Sequence, residues 1–303
     1  MSKLDAISRK ANKEIEKLAK KQLETSKISS IPVMPEDFGA FNEMIGLPKN
    51  PNTGKPTEIL NYQIEYFGAI REYHKVILNK SRKIGATETA LRSIAYNCFG
   101  RYAGHNVMIV AGNRQAQADE FLERFCELFN DGFVDLKGNE FSFSDVIVSR
   151  RKSQVEFWNG TKVSTYSARP ESLRGPEDVV CVYISEAAHI NLVDDSKVYN
   201  ALHPNVANIS DADFIIESTP NGKRGFFWEL FTRDNEYFKL EQSYDVSLGK
   251  LISKKFIESE KKNPTIDFEQ EYCSAFTSSL NSVFKEEDVR FVEKDINRYD
   301  DLD

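Results

Sequence analysis

The chain has 303 residues, of which 40% are hydrophobic and 29% are charged, and its formal net charge is −7 at pH 7. This apolar fraction is large enough for a folded core and excludes a wholly disordered chain, and no run of about 18 apolar residues predicts a membrane span. The net negative charge excludes a uniformly basic surface that coats nucleic acid. Any contact with nucleic acid must therefore be local, transient or shared among subunits.

The first 55 residues are predicted to form a helical arm followed by an irregular connector. In residues 1–30 apolar side chains recur at helical spacing, and eight basic residues stand against four acidic ones between Lys3 and Lys27. Two interpretations stay open: a solvated arm that packs lightly on the body, or a docking helix for a partner or for phosphates. The N-terminal segment lacks the apolar core that a secretory signal needs. Five prolines in residues 31–57 predict the irregular connector.

Cysteine and histidine usage argues against disulfides and zinc. The cysteines are far apart and contain no CxxC pair, as expected of free thiols in a reducing cytoplasm. They are Cys98, Cys126, Cys181 and Cys273. The four histidines are scattered, which argues against a zinc site.

Residues 56–244 alternate between short apolar strands and helices, a pattern that predicts an α/β fold with a mostly parallel sheet and helices on both faces. The predicted strands are Lys75–Asn79, Asn106–Ala111, Val179–Ile184 and Asp213–Glu217, and the predicted helices are Glu88–Phe99, Gln115–Phe129 and Phe226–Phe231. Asn159-Gly160 predicts a hairpin between two further strands. Residues 245–303 are predicted to form a more helical lid or linker region and an acidic tail, residues 285–303.

The segment Lys80-Ser-Arg-Lys-Ile-Gly-Ala-Thr87 lies between a predicted strand and a predicted helix. Against the phosphate-loop pattern GxxxxGK[ST], Gly85 and Thr87 are in place, but alanine stands at the lysine position and Lys80 at the first glycine position. The backbone amides and the helix N-terminus still form an anion cradle. Three cations within four residues would repel one another and the helix dipole, a conflict that a polyanion removes.

Two interpretations of this loop stay open. It is either a solvated basic turn or a nucleotide site in which Lys80 or Lys83 clamps a phosphate and Thr87 ligates Mg²⁺. In the second interpretation the nucleotide-binding residues are Lys80, Ser81, Arg82, Lys83, Ile84, Gly85, Ala86, Thr87 and Glu88.

Two later strands end in polar residues. The strand from Val179 runs into Ser185-Glu186, where nucleotide hydrolases place a metal-holding carboxylate and a water-activating glutamate. Glu186 fits the general base, whereas Ser185 can hold Mg²⁺ only through a bound water; the alternative is a strand end with a solvated glutamate. The next strand runs into Ser218-Thr219-Pro, which is either an ordinary turn or a sensor of the active-site water or γ-phosphate.

The order and spacing of these three segments resemble the ATPase domain of the viral terminase large subunit, the motor that packs double-stranded DNA into capsids. The resemblance covers about residues 55–284 and includes the displaced lysine. It implies a RecA-like (ASCE P-loop) fold, ATP and Mg²⁺ as cofactors, and Thr87, Ser185 and Glu186 around the metal. By the same resemblance Gln63 contacts adenine, and Arg174 acts as an arginine finger on a neighbouring subunit's ATP; the alternative for Arg174 is an ion pair that braces its loop.

The resemblance also implies partners and a place of action. These are double-stranded DNA held through its phosphates, the portal protein and procapsid, the small terminase subunit, and a homo-oligomeric ring, pentameric in the family. The expected location is the cytoplasm of the infected host cell and, transiently, the procapsid portal. Arg150-Arg151-Lys152 is a candidate DNA contact, with a solvated loop as the alternative.

Two departures from the family pattern matter. Ser185 replaces the usual aspartate, which puts the metal affinity in doubt. The nuclease domain that usually follows is expected to be absent, because the acidic tail leaves no room for a folded two-metal site. Two rival functions stay open: a helicase-like DNA-translocating ATPase, and a nucleotide-binding interaction module with weak or no hydrolysis. Ser185 and the missing loop lysine favour the second of them.

Overall fold

A central eight-stranded sheet organises the fold. The computed structural model describes residues 31–50, 53–190 and 194–277; the predicted N-terminal helix and the acidic tail lie outside them. The strands are β1 (Lys75–Lys80), β2 (Asn106–Ala111), β3 (Phe133–Val134), β4 (Glu140–Phe141), β5 (Ile147–Arg151), β6 (Gln154–Phe157), β7 (Lys162–Tyr166), β8 (Val179–Ser185), β9 (Asp213–Ser218) and β10 (Phe238–Gln242). Their order is β10-β1-β9-β8-β2-β7-β6-β5, and β3 pairs with β4 separately.

The first six strands of that order run parallel, and β6 and β5 add an antiparallel edge. The α-helices are α1 (Phe38–Met44), α2 (Asn61–Tyr73), α3 (Ala86–Cys98), α4 (Gln115–Glu127), α5 (Phe143–Val146), α6 (Pro170–Leu173), α7 (Ser196–Leu202), α8 (Gly225–Thr232), α9 (Lys254–Lys261) and α10 (Phe268–Cys273). The predicted mostly parallel α/β fold is therefore confirmed.

Alternate residues of the strands fill two separate cores, one on each face of the sheet. In β1, Val76 and Leu78 pack into the core that α1–α4 cover, whereas Ile77 packs into the core under α7 and α8. Because a strand buried on both faces needs apolar residues at every position, such strands read as continuous apolar runs. This is why β1, β2, β8 and β9 were recognisable from the sequence.

The connector is less irregular than predicted. Helix α1 lies inside it, because the Asp37 side chain caps the helix by accepting a hydrogen bond from the Ala40 amide at 2.7 Å. The Phe38 ring stacks on Phe67 of α2, with ring centroids 4.0 Å apart. Tertiary packing of aromatic side chains thus holds a helix that is too short to persist alone.

The hairpin at Asn159-Gly160 is confirmed, because β6 and β7 pair antiparallel around it. Strand β10 was not predicted, and it extends the sheet by pairing in parallel with β1. All four cysteines are free. Among the described residues, no helix is long and apolar enough to cross a membrane.

Candidate nucleotide-binding site

The polar strand ends meet at the carboxyl edge of the sheet. Strands β1, β9 and β8 are neighbours and run parallel, so the loop at 81–85, the Ser218-Thr219 turn and Ser185-Glu186 lie at one edge. In open α/β sheets this edge is where ligands bind. The juxtaposition that the sequence predicted is therefore present.

The loop turns into α3 through residues with left-handed backbone conformations. Lys83 has φ 61°, and Gly85, the N-cap of α3, has φ 80°. A Cβ atom at Gly85 would lie 3.0 Å from Nε2 of Gln63 and 3.3 Å from Cδ1 of Leu251. Gly85 is thus required both for its backbone angle and for the close approach of its neighbours.

Gly85→Ala is expected to lower the free energy of unfolding by about 1–2 kcal/mol, the cost of a left-handed non-glycine residue, and also to weaken nucleotide binding because Gln63 must shift. Chemical denaturation and titration with a fluorescent nucleotide measure the two effects. Gly138→Ala is the matched control, because Gly138 has φ 82° with no atom within 4 Å of the added Cβ. If both variants bind nucleotide as the wild type does, the close approach at Gly85 has no role in the site.

Lys80 and Glu186 form an ion pair in the floor of the site. The Lys80 ammonium donates to Glu186 Oε1 at 2.7 Å; the lysine side chain is 6% exposed and the glutamate side chain 43% exposed. Burial opposes the charge of Lys80, but the carboxylates of Glu186 and Glu217 outweigh it and raise the pKa of Lys80. Burial likewise opposes the charge of Glu186, but Lys80 dominates and lowers the pKa of Glu186. Lys80, rather than Lys83, is therefore the buried cation of the loop.

A second carboxylate, Glu217 of β9, lies beneath Thr87. It is fully buried, and its Oε1 accepts hydrogen bonds from Thr87 Oγ1 at 2.7 Å, Tyr183 at 2.6 Å and Ser185 Oγ at 3.3 Å. Its Oε2 has no hydrogen-bond partner among the described residues. Burial is the main reason that the pKa of Glu217 is raised. The sequence pattern does not single out this residue, and its one signal is a charged residue directly after the apolar run Phe214–Ile216.

The N-terminus of α2 supports the loop from the other side. The Tyr62 hydroxyl donates to the Ile84 carbonyl, and Gln63 Oε1 accepts from the Leu60 amide at 2.9 Å. Because its oxygen is used in this cap, Gln63 presents only its amide nitrogen to Gly85 and the cavity. This leaves a donor at the position that was predicted to contact adenine.

Ser218 and Thr219 contact the loop after β8 instead of lining the cavity. Ser218 Oγ accepts from the Ala188 amide at 3.0 Å, and the Thr219 hydroxyl lies 2.7 Å from His189 Nε2. The Thr219 amide is 3.4 Å from Glu186 Oε2. The turn therefore reaches the predicted general base through its backbone, whereas its two hydroxyls brace the neighbouring loop.

Helix α10 connects the loop at 81–85 to the turn after β9. The Arg82 amide donates to the Glu271 carbonyl at 3.0 Å, and the Arg82 side chain lies 3.4 Å from the Glu271 carboxylate. The Gln270 side chain accepts from the Gly222 amide at 2.8 Å. The described part of the predicted lid is thus in direct contact with both elements.

A cavity of about 980 Å³ opens beside the loop, at the upper end of the usual size of small-molecule sites. Its lining includes the predicted residues Gln63, Lys80, Ser81, Arg82, Lys83, Ile84, Gly85, Ala86, Thr87, Glu88 and Glu186. The lining does not include Ser185, Ser218, Thr219 or Arg174. Glu88 pairs there with Arg92 at 2.8 Å, so its carboxylate is already engaged.

The donor atoms at this edge suit magnesium. Hydroxyl and carboxylate oxygens are the ligands that Mg²⁺ prefers, and it keeps several waters. Thr87, Ser185 and Glu217 supply such oxygens, and the unpartnered Glu217 Oε2 leaves an acceptor in the same group. Among the described residues there is no cluster of three or more histidine, cysteine, aspartate or glutamate side chains that would hold a metal by protein ligands alone.

Comparison with known proteins identifies the family. The family model described as "Terminase large subunit, T4likevirus-type, N-terminal" matches residues 77–291, which is more than half of the chain. The chain belongs to this terminase family. No curated protein matches the sequence.

Solved terminases share the fold. The large terminase ATPase domain of Thermus phage P74-26 is 21% identical with a TM-score of 0.53, and the match covers 81% of this chain and 100% of that one. The large terminase of bacteriophage HK97 is 15% identical with a TM-score of 0.60, covering 79% and 55%. A large terminase from a second thermophilic bacteriophage, solved in complex with ADP, is 12% identical with a TM-score of 0.55, covering 72% and 53%. This terminase chain therefore spans about half the length of the last two proteins.

Arg174 of this terminase follows α6 and is exposed. Among the residues that the structure describes, none forms an ion pair with it. The other basic candidate, Arg150-Arg151-Lys152, lies at the antiparallel edge of the sheet. There Arg150 pairs with Glu123, and the Lys152 ammonium lies 3.8 Å from the Asp119 carboxylate. Acidic residues of α4 therefore offset part of this cluster's charge.

Proposed function

We propose that this terminase chain hydrolyses ATP in the presence of Mg²⁺ and uses the energy to move double-stranded viral DNA into a procapsid. The observation that carries the proposal is the Lys80–Glu186 ion pair beside the phosphate loop. A buried cation and a half-exposed carboxylate at this edge match the roles of phosphate clamp and general base. Family membership supports the same activity.

In this mechanism the triphosphate competes with Glu186 for the Lys80 ammonium. Once Lys80 contacts phosphate, the Glu186 carboxylate is released and orients the attacking water. Backbone amides at the start of α3 hold the phosphate oxygens. The amide nitrogen of Gln63 donates a hydrogen bond to the adenine ring. Thr87 would hold Mg²⁺ and Ser185 would reach it only through a bound water; when bound, the ion would neutralise negative charge on the phosphates.

The coupling of hydrolysis to movement is assigned to α10. The Gln270 side chain contacts the turn after β9, and Glu271 contacts Arg82 of the phosphate loop. The Glu186 carboxylate contacts the backbone amide of Thr219, so a movement of Glu186 would shift the turn after β9. The same turn contacts α10 through the amide of Gly222. This chain of contacts supports the proposal that the described part of the predicted lid, residues 245–277, moves relative to the sheet.

The proposed partners follow from the family. They are double-stranded DNA bound through its phosphates, the portal and procapsid, the small terminase subunit, and further copies of this chain in a ring. The proposed place of action is the host cytoplasm and the procapsid portal. Contacts to phosphates predict binding that weakens steeply with salt and depends little on DNA sequence.

The test is the rate of Mg²⁺-dependent ATP turnover, with and without DNA, as a function of protein concentration. We expect turnover that rises with concentration, since an arginine supplied by a neighbour requires assembly, and that responds to DNA. Saturable nucleotide binding without turnover, even at high concentration with DNA, would instead favour the interaction module, the alternative that Ser185 suggests. Omission of Mg²⁺ is the matched control.

A further inference from the structure

Glu217 is an unusual group for a strand interior. It lies in β9 between Ile216 and Ser218, and it is fully buried. A buried carboxylate is costly unless its oxygens are satisfied. Three hydroxyls converge on Oε1, whereas Oε2 has no partner among the described residues. A buried polar atom without a partner calls for an explanation, and an absent ligand is one.

Glu217 lies next to Ser185, the residue that replaces the aspartate of the family pattern. The two residues are direct partners in the parallel β8–β9 register. Where phosphate-loop hydrolases place an aspartate at the end of β8, this chain has a neutral hydroxyl. The adjacent strand supplies a carboxylate at the same level of the sheet, and the Ser185 hydroxyl points at it from 3.3 Å.

The hydrogen bond from Thr87 connects Glu217 to the cavity. Thr87 lines the cavity and is the hydroxyl that a phosphate loop uses to ligate magnesium. Because Thr87 donates its proton to Glu217 Oε1 at 2.7 Å, the lone pairs of its oxygen remain free for a cation. Glu217 therefore orients the Thr87 oxygen as an acceptor, and its carboxyl group lies one hydrogen bond behind that oxygen.

We propose that Glu217 takes the place of the missing β8 aspartate: it is the acidic positioning residue of the magnesium site and acts through Thr87 and a metal-bound water. The inference rests on the proposed nucleotide function. Partners behind the direct ligands orient them and tune the metal, and their loss costs about 10–100-fold in metal affinity. Mg²⁺ retains waters when it binds with nucleotides, so an acceptor such as Oε2 suits a residue behind the ligands.

The experiment compares nucleotide affinity in Mg²⁺ and in EDTA for the wild type, Glu217→Gln and Ser185→Ala. A fluorescent ADP reports affinity, and electron paramagnetic resonance of Mn²⁺ in the presence of ADP reports metal binding directly. We expect Glu217→Gln to lose about 10–100-fold in Mn²⁺ affinity and most of the Mg²⁺-dependent gain in ADP affinity, with ADP affinity in EDTA unchanged. Ser185→Ala should change both quantities only a few-fold, because its hydroxyl makes the longest of the three contacts.

Two further variants separate metal positioning from packing. Glu241→Gln, which removes an exposed carboxylate from β10, is the matched control and should behave as the wild type. The exchange variant Ser185→Asp/Glu217→Gln returns the carboxylate to β8 and should recover Mn²⁺ affinity. A residue that served packing alone would not be rescued by a charge on the neighbouring strand.

The outcomes are distinguishable. The inference is overturned if Glu217→Gln keeps wild-type Mn²⁺ affinity. It is also overturned if Ser185→Ala loses more Mn²⁺ affinity than Glu217→Gln, or if the exchange variant recovers no Mn²⁺ affinity. If Glu217→Gln does not fold, Glu217→Asp replaces it, and it must lose more metal affinity than Ser185→Ala. A wild type that binds ADP equally with and without Mg²⁺ contradicts the inference alone, whereas one that binds no nucleotide contradicts the proposed function.

Discussion

Arg174→Ala is expected to lower ATP turnover by about 10³–10⁵-fold, the contribution of an arginine finger, while leaving nucleotide affinity close to that of the wild type. The physical reason is that Arg174 is exposed and lies outside the cavity of its own chain. We therefore expect it to have no part in binding the nucleotide there and to act where charge develops in a neighbour's transition state. Steady-state turnover at several protein concentrations measures the effect.

The matched control is Arg169→Ala, which removes an exposed arginine at the other end of α6. It should keep wild-type turnover, since loss of surface charge alone should not affect hydrolysis. A rate for Arg174→Ala within a few-fold of the wild type would count against the arginine finger.

Glu186→Gln is expected to lower turnover by about 10²–10⁴-fold, the usual contribution of a general base, and to bind ATP at least as tightly as the wild type. The amide cannot accept the proton of the attacking water. It also competes less well than a carboxylate for the Lys80 ammonium, which is then free to contact phosphate. Turnover and fluorescent ATP titration measure the two effects, and Glu177→Gln, an exposed glutamate before β8, is the control.

Mixing the two inactive variants tests whether the arginine is supplied by another subunit. An Arg174→Ala subunit retains Glu186 and would receive Arg174 from a Glu186→Gln neighbour, so a mixture should recover part of the wild-type turnover. Recovery that scales with the ratio of the two variants supports action between subunits. If the mixture assembles but is no more active than either variant alone, Arg174 does not act on a neighbouring subunit. It then acts in its own site or has no role in hydrolysis.

The strands and the loops between them were predictable because the signals are local. Strands β1, β8 and β9 are buried on both faces, so each reads as an apolar run that ends in polar residues. Parallel strands then bring those ends to a single edge, and the phosphate loop, Glu186 and the Ser218-Thr219 turn follow from the pattern alone. Strand β10 was missed because it lies at the edge of the sheet, where alternating polar residues weaken the apolar signal.

The sequence by itself determined the fold class, the position of the loop at 81–85 next to Lys80, and the carboxylate that follows β8. Only the tertiary structure decided which lysine is buried, that Gln63 presents its nitrogen to Gly85, and that the hydroxyls of Ser218 and Thr219 face a loop instead of the cavity. It also revealed Glu217 beneath Thr87. The physical reason is that these arrangements depend on the register between strands and on helix ends that pack across them, and neither leaves a periodic signal along the chain.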